Sequence, residues 1–340
     1  MRNGKAIKVL IVDDSIVFRE VLSMGISSDP GITVVATARD PFEARDKILL
    51  HKPDVVTCDV EMPKMNGIDF VRKLIPQYPI PVIVVSSVSD AVFEAMNAGA
   101  VDFVVKPDMG NLRNVEQFIY ELIEKIKIAS NAKIVQDTVK NINSGRTFGI
   151  FDSRKVIAIG ASTGGTEAIA KILKSMPSTI PGIVIVQHIP PVFSRLFAER
   201  LNLSTNLRVK EAETGDYVER GKVLIAPGDR HMRIKRVSGK YKVECFQGDK
   251  VNGHCPSVDV LFESVAREAG KDAIGVILTG MGYDGAKGLL SMKRSGAQTI
   301  GQDEKSSVVY GMPKVAYNIG AVCKQLSLDR IALTIMEMLK

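Results

Sequence analysis

Tryptophan is absent from the chain, other aromatic residues are scarce, and cysteine occurs only four times. Aromatic residues make up 6% of the sequence, and the basic residues behind its net charge of +7 are scattered along it. With few platforms for base stacking and no basic cluster, nucleic-acid binding is not expected. Cys58, Cys245, Cys255 and Cys323 are too widely spaced for a CxxC pair. A long chain with so few cysteines is expected to be cytoplasmic, with reduced thiols.

Long hydrophobic runs are missing too. No stretch approaches the roughly 18 consecutive apolar residues that a membrane-spanning helix needs, so membrane insertion is not expected. The first residues lead directly into a strand pattern, and we expect no targeting segment. At 340 residues the chain exceeds the roughly 250 to 300 residues at which single cores usually stop growing. Two domains are therefore expected.

Residues 7–126 alternate five times between strand and helix patterns. The strands are continuous β-branched runs such as IKVLIVD and PVIVVSS, which are typical of a parallel sheet buried on both faces. Residues 129–150 turn polar and basic and lose periodicity, as an interdomain linker would. A second α/β series follows, interrupted by an alternating hairpin pattern. The prediction is a (βα)5 domain over residues 1–128 and a doubly wound, mostly parallel α/β domain with an antiparallel hairpin over residues 151–340.

Three carboxylates are predicted to crowd one edge of the first domain. Asp13 and Asp14 end the first strand and Asp59 ends the third, and carboxyl ends of parallel strands meet at the ligand-binding edge. Carboxylates repel one another unless a cation compensates, and hard oxygen ligands favour Mg²⁺. Ser86 and Lys106, after the fourth and fifth strands, could contact a phosphoryl group there. Alternatively, the acidic pair could simply cap the following helix.

The segments VDDS, DVEMPKMNG, VSS and VKP, in this order and spacing, resemble the response-regulator receiver domain. The resemblance implies that Asp59 is phosphorylated. It also implies that Asp14 and Asp59 bind Mg²⁺ with help from Asp13, and that Ser86 and Lys106 sense the phosphoryl group.

Three strand patterns of the second half each end in a residue type found in hydrolase triads. Ser162 follows one strand, His188 follows the next, and Asp284 lies just past a third. All three would lie at the edge where open α/β sheets bind ligands. Each has a structural alternative, since Ser162 and Asp284 could cap helices and His188 could be a buried neutral histidine. Their joint occurrence in a chain with four histidines favours a Ser-His-Asp hydrolase.

Two Gly-rich loops allow other interpretations. GASTG fits the G-x-S-x-G nucleophile elbow, but α/β-hydrolases follow the order Ser, acid, His, and here His188 precedes Asp284. Because triads are defined by geometry and not by chain order, this order excludes the α/β-hydrolase family but does not exclude Ser-His-Asp catalysis. GMGYDG fits the G-x-G-x-x-G dinucleotide fingerprint, with Asp303 and Glu304 near the spacing of a ribose-binding acid. A carboxylate at Asp284 would, however, repel pyrophosphate inside that turn.

Longer motifs of the second half resemble the catalytic domain of the CheB family of chemotaxis protein-glutamate methylesterases. They are GASTGG, QHIPPVFSRLFAERL, APGDRHM, PSVDVLFESVA, ILTGMGYDGAKG and GMPKVA. The resemblance implies that Ser162 is the nucleophile, His188 the general base and Asp284 the residue that orients the imidazole. It also places Thr163 and Met281 beside the pocket, with the Met281 backbone amide as a candidate oxyanion donor.

The same resemblance implies a function in chemotaxis. The enzyme would demethylate glutamate methyl esters and deamidate glutamines on the cytoplasmic helices of chemoreceptors, without a cofactor for this chemistry. A chemotaxis histidine kinase would supply the phosphoryl group, and phosphorylation would open access to Ser162. A receiver-controlled binding module without chemistry is the alternative.

One position departs from the family pattern. Cys255 stands where related sequences commonly carry arginine. The pair His254 and Cys255 lacks a second ligand pair at zinc-site spacing, and a closed zinc site needs four ligands. A surface or loop role is therefore expected for both residues.

Overall fold

The structure, a computed structural model, describes residues 5–87, 89–133, 151–152 and 154–340. The chain divides into two compact units, Met1–Gln136 and Asp137–Lys340, and the division falls within the predicted linker. Most of that linker, residues 134–150, lies outside the described residues, so its bounds stay a prediction. In the described part, no helix is long and apolar enough to cross a membrane.

The first unit is a (βα)5 domain, as predicted. Its five strands form one parallel sheet in the order β2-β1-β3-β4-β5. β3 and β4 are buried along their whole length, which explains why they read as continuous apolar runs. The elements are β1 Ile7–Val12, α1 Ile16–Ile26, β2 Ile32–Ala38, α2 Pro41–His51, β3 Val55–Asp59, α3 Gly67–Gln77, β4 Val82–Ser86, α4 Ser89–Asn97, β5 Asp102–Val105 and α5 Leu112–Ala129.

The second unit contains a seven-stranded sheet in the order β14-β13-β12-β6-β7-β9-β8. Every neighbouring pair is parallel, and β10 and β11 form a separate antiparallel hairpin, which confirms the predicted fold class. The strands are β6 Val156–Ala161, β7 Gly182–Gln187, β8 Arg208–Glu211, β9 Lys222–Ile225, β10 His231–Val237, β11 Lys240–Phe246, β12 Ala273–Ile277, β13 Gln298–Gln302 and β14 Lys324–Leu326.

Helices cover this sheet. They are α6 Gly165–Lys174, α7 Phe193–Ser204, α8 Val258–Glu268, α9 Ala286–Arg294, α10 Met312–Asn318 and α11 Leu328–Met338, with a short 3₁₀ turn at Gly270–Asp272. α6 packs with α7 and α11, while α8 packs with α9 and the hairpin strand β10. Apolar side chains such as Phe197 and Phe262, both fully buried, fill the core between helices and sheet.

The strand order places the functional edge. β6 lies at the centre of the sheet, with β7 on one side and β12 on the other. After β6 the chain continues to β7 on one side of it, and the later strand β12 lies on its other side. The edge beside β6 is therefore a topological switch point. Loops that follow these three strands meet at the same edge, and they carry Ser162, His188 and Asp284.

Candidate active site and receiver pocket

The acidic residues predicted at one edge of the first domain do lie together. One carboxylate oxygen atom from each of Asp13, Asp14 and Asp59 lies within 4.8 Å of the others. Asp13 and Asp59 are buried and Asp14 is exposed. This set of hard oxygen atoms fits Mg²⁺, which binds through one or two protein carboxylates and keeps several waters. In the part of the chain that the structure describes, it is the only such cluster of three, so His254 and Cys255 belong to none.

Lys106 neutralises part of this cluster. Its Nζ lies 2.8 Å from Asp13 Oδ2 and 2.6 Å from Asp59 Oδ2. Burial raises the pKa of Asp59, although Lys106 opposes that shift through a hydrogen bond and its charge. Burial alone would lower the pKa of Lys106, but the two carboxylates raise it above its ordinary value. The Lys106 backbone amide also donates to the carbonyl of Ser86, at 3.1 Å. The residues predicted for this pocket therefore lie at one edge of the sheet: Asp13, Asp14, Asp59, Ser86 and Lys106.

In the second domain, sheet hydrogen bonds continue past the strand ends and hold the nucleophile and base loops. The backbone N–H of Ser162 donates to Thr279 O at 3.0 Å, and the N–H of His188 donates to Ala161 O at 3.1 Å. Gly280 lies against this loop, because a Cβ atom there would lie 2.6 Å from Ser162 Cβ. Only glycine allows the loop after β12 to approach Ser162 so closely.

His188 and Asp284 form the contact that the triad requires. His188 Nε2 lies 2.9 Å from Asp284 Oδ2, and the two side chains are 8% and 1% exposed. Asp284 therefore accepts the Nε2 proton, and Nδ1 keeps the lone pair. Nδ1 is buried and has no hydrogen-bond partner among the residues that the structure describes. It is the nitrogen left to accept a proton from serine, whereas in the serine-protease template Nδ1 contacts the acid.

The half-buried Ser162 side chain lies in the loop after β6, beside the histidine loop. Across the described residues, no hydrogen bond joins Ser162 Oγ to His188, a common situation before substrate binds. The capping alternatives for Ser162 and Asp284 are wrong. The residues that cap α6 and α9 are Gly164 and Gly285, and neither helix has a side-chain cap.

Asp284 is held by the beginning of a different helix, which the sequence did not indicate. Its Oδ1 accepts from Ser257 Oγ at 2.7 Å and from Asn252 Nδ2 at 2.9 Å, and its Oδ2 accepts from the Val258 N–H at 2.7 Å. Burial alone would raise the pKa of Asp284, but His188, Asn252 and Ser257 hold it far below its usual value. The carboxylate is thus ionised and fixed at the N-terminus of α8, where a negative charge is favoured.

Two further residues were missed by sequence reasoning. Gln187 is 3% exposed, and its Nε2 donates to Ser162 O at 2.9 Å and His188 O at 3.1 Å. It ties the nucleophile and base loops together. The His254 ring stacks on the His188 ring, with centroids 3.7 Å apart and an interplanar angle of 12°. The sequence signal for Gln187 was its position as the last residue of a buried strand directly before His188. From the sequence, His254 was considered only as a zinc ligand, and no local pattern placed it beside His188.

Thr163 and Met281 occupy the loops that flank Ser162. Thr163 is 7% exposed, and its carbonyl oxygen accepts a hydrogen bond from Thr279 Oγ1 at 3.0 Å. Met281 follows Gly280, which contacts Ser162, and its side chain is exposed. Both residues lie where the sequence placed them, and their role as oxyanion or pocket residues stays a prediction.

The dinucleotide interpretation of GMGYDG is not supported by the geometry. Asp284 occupies the turn that would hold a pyrophosphate, and it is engaged with His188. Asp303, the candidate ribose-binding acid, accepts hydrogen bonds from the N–H and hydroxyl groups of Ser306 at 2.9 and 2.7 Å. These carboxylates hold the protein's own loops.

Comparisons with known proteins agree with both predicted resemblances. Two families match, CheB methylesterase over residues 157–335 and response regulator receiver domain over residues 9–116. A protein-glutamate methylesterase/protein-glutamine glutaminase 2 of Syntrophomonas wolfei is 57% identical over 337 residues, or 98% of each chain. The protein-glutamate methylesterase/protein-glutamine glutaminase of Escherichia coli O6:K15:H31 is 46% identical over 331 residues, which cover 96% of this chain and 95% of the relative.

A solved structure extends the likeness to the fold of the second domain. The crystal structure of the Thermotoga maritima CheB methylesterase catalytic domain is 39% identical, with a TM-score of 0.53, and covers 54% of this chain and 98% of that domain. The sequence match spans both domains, and the site geometry agrees with it. The chain therefore belongs to the CheB family of protein-glutamate methylesterases/protein-glutamine glutaminases and carries a response regulator receiver domain.

Proposed function

We propose that this protein demethylates glutamate methyl esters, and deamidates glutamines, on the cytoplasmic helices of chemoreceptors under the control of phosphorylation. The observation that carries this proposal is the 2.9 Å contact between His188 Nε2 and Asp284 Oδ2 at the sheet edge where Ser162 follows β6. Relatives similar over 98% of the chain bear the methylesterase/glutaminase name, which supports the substrate class. Those names also favour an enzyme over a binding module.

The proposed acylation step uses Ser162, His188 and Asp284 together. Ser162 Oγ attacks the carbonyl carbon of the ester while its proton passes to His188 Nδ1. The carbon–oxygen bond to the methoxy group then breaks, and the imidazolium returns the proton as methanol leaves. Asp284, which is kept ionised, stabilises the imidazolium through the Nε2–H bond. A glutamine side chain would release ammonia in the same step.

Deacylation uses the same groups. Water attacks the acyl carbon as His188 Nδ1 takes its proton, the bond to Ser162 Oγ breaks, and Ser162 recovers its proton. The products are free glutamate and the original enzyme. The backbone amide of Met281, with the loop at Thr163, would donate to the oxyanion as negative charge develops. None of these steps uses a cofactor.

The receiver pocket would accept the regulatory phosphoryl group. A carboxylate oxygen of Asp59 would attack the phosphorus atom of a phosphohistidine on a chemotaxis histidine kinase, and the phosphorus–nitrogen bond would break. Asp13, Asp14 and Asp59 would hold Mg²⁺, which supplies positive charge to the phosphoryl oxygen atoms. Lys106 would pair with one of those oxygen atoms, and Ser86 would donate its hydroxyl hydrogen to another.

Methanol release tests the catalytic proposal. With a methylated cytoplasmic fragment of a chemoreceptor as substrate, Ser162→Ala should reduce the rate at least about 1,000-fold, because the nucleophile is lost. The matched control is Ser204→Ala, at an exposed serine that ends α7, and it should keep the wild-type rate. Methanol release that persists in Ser162→Ala would contradict the assignment.

A further inference from the structure

One short segment contacts two of the proposed triad residues. Residues 251–257, between the hairpin and α8, are called here the clamp segment. At its start, the N–H groups of Val251 and His254 each donate to the other's carbonyl oxygen at 3.0 Å. The tight turn between them has Asn252 at φ 53° and Gly253 at φ 82°. Asparagine and glycine are the residues that adopt this left-handed conformation most easily.

This turn directs two side chains into the site. Asn252 Nδ2 donates to Asp284 Oδ1 at 2.9 Å, and the His254 ring lies on the His188 ring with a centroid distance of 3.7 Å. The clamp segment therefore holds the acid by hydrogen bonds and touches the base by ring stacking. The family assignment and the triad alone require no such second contact with the base.

The second histidine is an uncharged ring at neutral pH. Burial, the largest cause, and the neighbouring His188 lower the pKa of His254 to about 4, while Asp284 opposes the shift. Lys250 is the other charged group that acts on it, and it also lowers the pKa. A neutral aromatic face can pack closely on the imidazole without opposing the positive charge that His188 gains during the reaction.

The His188 ring needs such a contact, because its one hydrogen bond fixes it incompletely. That bond is at Nε2, which lies closer to the axis of rotation about the Cβ–Cγ bond than Nδ1 does. Rotation about this axis moves Nδ1 further than Nε2, so the bond to Asp284 alone leaves the direction of the Nδ1 lone pair incompletely defined. Within the described ranges of the chain, Nδ1 itself has no hydrogen-bond partner. A parallel ring against one face restricts this rotation directly.

We propose that His254 is a positioning residue, which fixes the plane of the His188 imidazole by stacking so that Nδ1 points toward Ser162. This role rests on the triad assigned above. It is a packing role that needs a flat, uncharged ring and no ring nitrogen. Loss of the ring should slow the chemical step without weakening substrate binding, because His254 acts through His188.

Three substitutions in the full-length chain separate shape from chemistry. His254→Phe keeps a flat ring, His254→Leu keeps apolar volume without planarity, and His254→Ala removes both. We expect His254→Phe to keep kcat near the wild-type value. The Leu and Ala variants should lower kcat on the order of 10- to 100-fold with KM unchanged, since small misplacements of catalytic groups have effects of this size. Should the Ala variant fail to fold, the Leu variant carries the same comparison.

Two kinetic outcomes would overturn the proposal. Wild-type kcat in both the Leu and the Ala variants would show that the stack is dispensable. A loss in His254→Phe as large as in His254→Ala would show that a ring nitrogen of His254 matters, which makes its role chemical.

A measurement that does not depend on turnover tests the role of His254 separately from the triad assignment. Imidazole ¹⁵N NMR of the full-length protein should show His188 as one sharp Nε2–H tautomer in the wild type and His254→Phe. The signal should broaden in His254→Ala as the ring samples other orientations, and an unchanged sharp signal would overturn the proposal. If Ser162→Ala kept methanol release, the triad assignment would fail while these spectra still reported whether His254 orders the His188 ring.

Discussion

Asp284 shows how a buried charge can be retained at a sheet edge. It is 1% exposed, and an isolated carboxylate at such a position would be strongly unfavourable. Here both oxygen atoms are engaged, by His188, Asn252, Ser257 and the first amide of α8. These donors favour the ionised form, which is the form that can stabilise a positively charged imidazole. The same donors make Asp284 a source of pH-dependent stability.

The pKa of Asp284 is depressed in the folded protein, so protonation of this group at low pH favours the unfolded chain. The unfolded chain binds a proton to this group near pH 4, where the folded protein still does not. Its stabilising contribution is therefore fully present above about pH 4 and is lost as the pH falls from there toward the folded pKa. Asp284→Asn should remove that contribution, so the unfolding free energy of the catalytic domain should vary less with pH below about pH 4.

Hydrogen exchange measured by mass spectrometry on peptides from β6 and β7 would report this domain separately from the receiver. Between pH 7 and pH 3, protection of these peptides should decrease more in the wild type than in Asp284→Asn. Parallel pH profiles for the two proteins would contradict the depressed pKa.

At the level of elements, the start of α8 is both a helix terminus and part of the site. Ser257 is its N-cap, with the hydroxyl oxygen 3.5 Å from the Val260 N–H and the hydroxyl donating to Asp284 Oδ1 at 2.7 Å. Asp259, in the first turn, accepts from the Gly288 N–H of α9 at 2.6 Å. Local helix stability and the orientation of the catalytic acid are therefore coupled through Ser257.

Ser257→Ala should consequently affect stability and turnover together. Loss of the cap and of one hydrogen bond to a charged group should cost about 1 to 3 kcal/mol of unfolding free energy, and kcat should fall as Asp284 loses a donor. Ser327→Ala is the matched control, because Ser327 is the N-cap of α11 and its side chain makes no capping hydrogen bond to the described residues. Urea unfolding and methanol release measure the two effects. A wild-type kcat in a destabilised Ser257→Ala would separate the helix cap from catalysis.

At the level of the whole molecule, the receiver pocket proposed for phosphorylation and the proposed hydrolase site occur in one chain. A phosphoryl group on Asp59 would add about −1.5 to −2 charges to a pocket in which Lys106 now pairs with Asp13 and Asp59. Such a change must redistribute these ion pairs, and it offers a physical basis for the proposed control of access to Ser162. Coupling of this kind is typically worth about 1 to 3 kcal/mol, or roughly 5- to 150-fold.

With Mg²⁺ and a small-molecule phosphodonor, the full-length protein should release methanol faster by a factor in this range. Asp59→Asn should abolish the increase and keep the basal rate. Asp46→Asn, at a residue whose side chain is 70% exposed on the same domain, should respond as the wild type does. An equal increase in Asp59→Asn would place the site of phosphorylation elsewhere.

The sequence by itself indicated two α/β domains, the alternation of strands and helices in the first, and the location of Asp59, Ser162, His188 and Asp284 at or just past strand ends. These features follow from local patterns, since buried parallel strands read as continuous apolar runs and their carboxyl ends share one edge. The rule that carboxyl ends of parallel strands share one edge places residues at that edge, but it does not say which of their atoms are in contact.

Only the tertiary structure decided those contacts. His188 and Asp284 are 96 positions apart, and the α8 amide that holds Asp284 belongs to Val258, 26 positions before it. No local pattern connects residues so distant, and none shows that Nε2 faces the acid or that the His254 ring covers the base. Such pairings depend on how loops from separate strands pack once the sheet has formed.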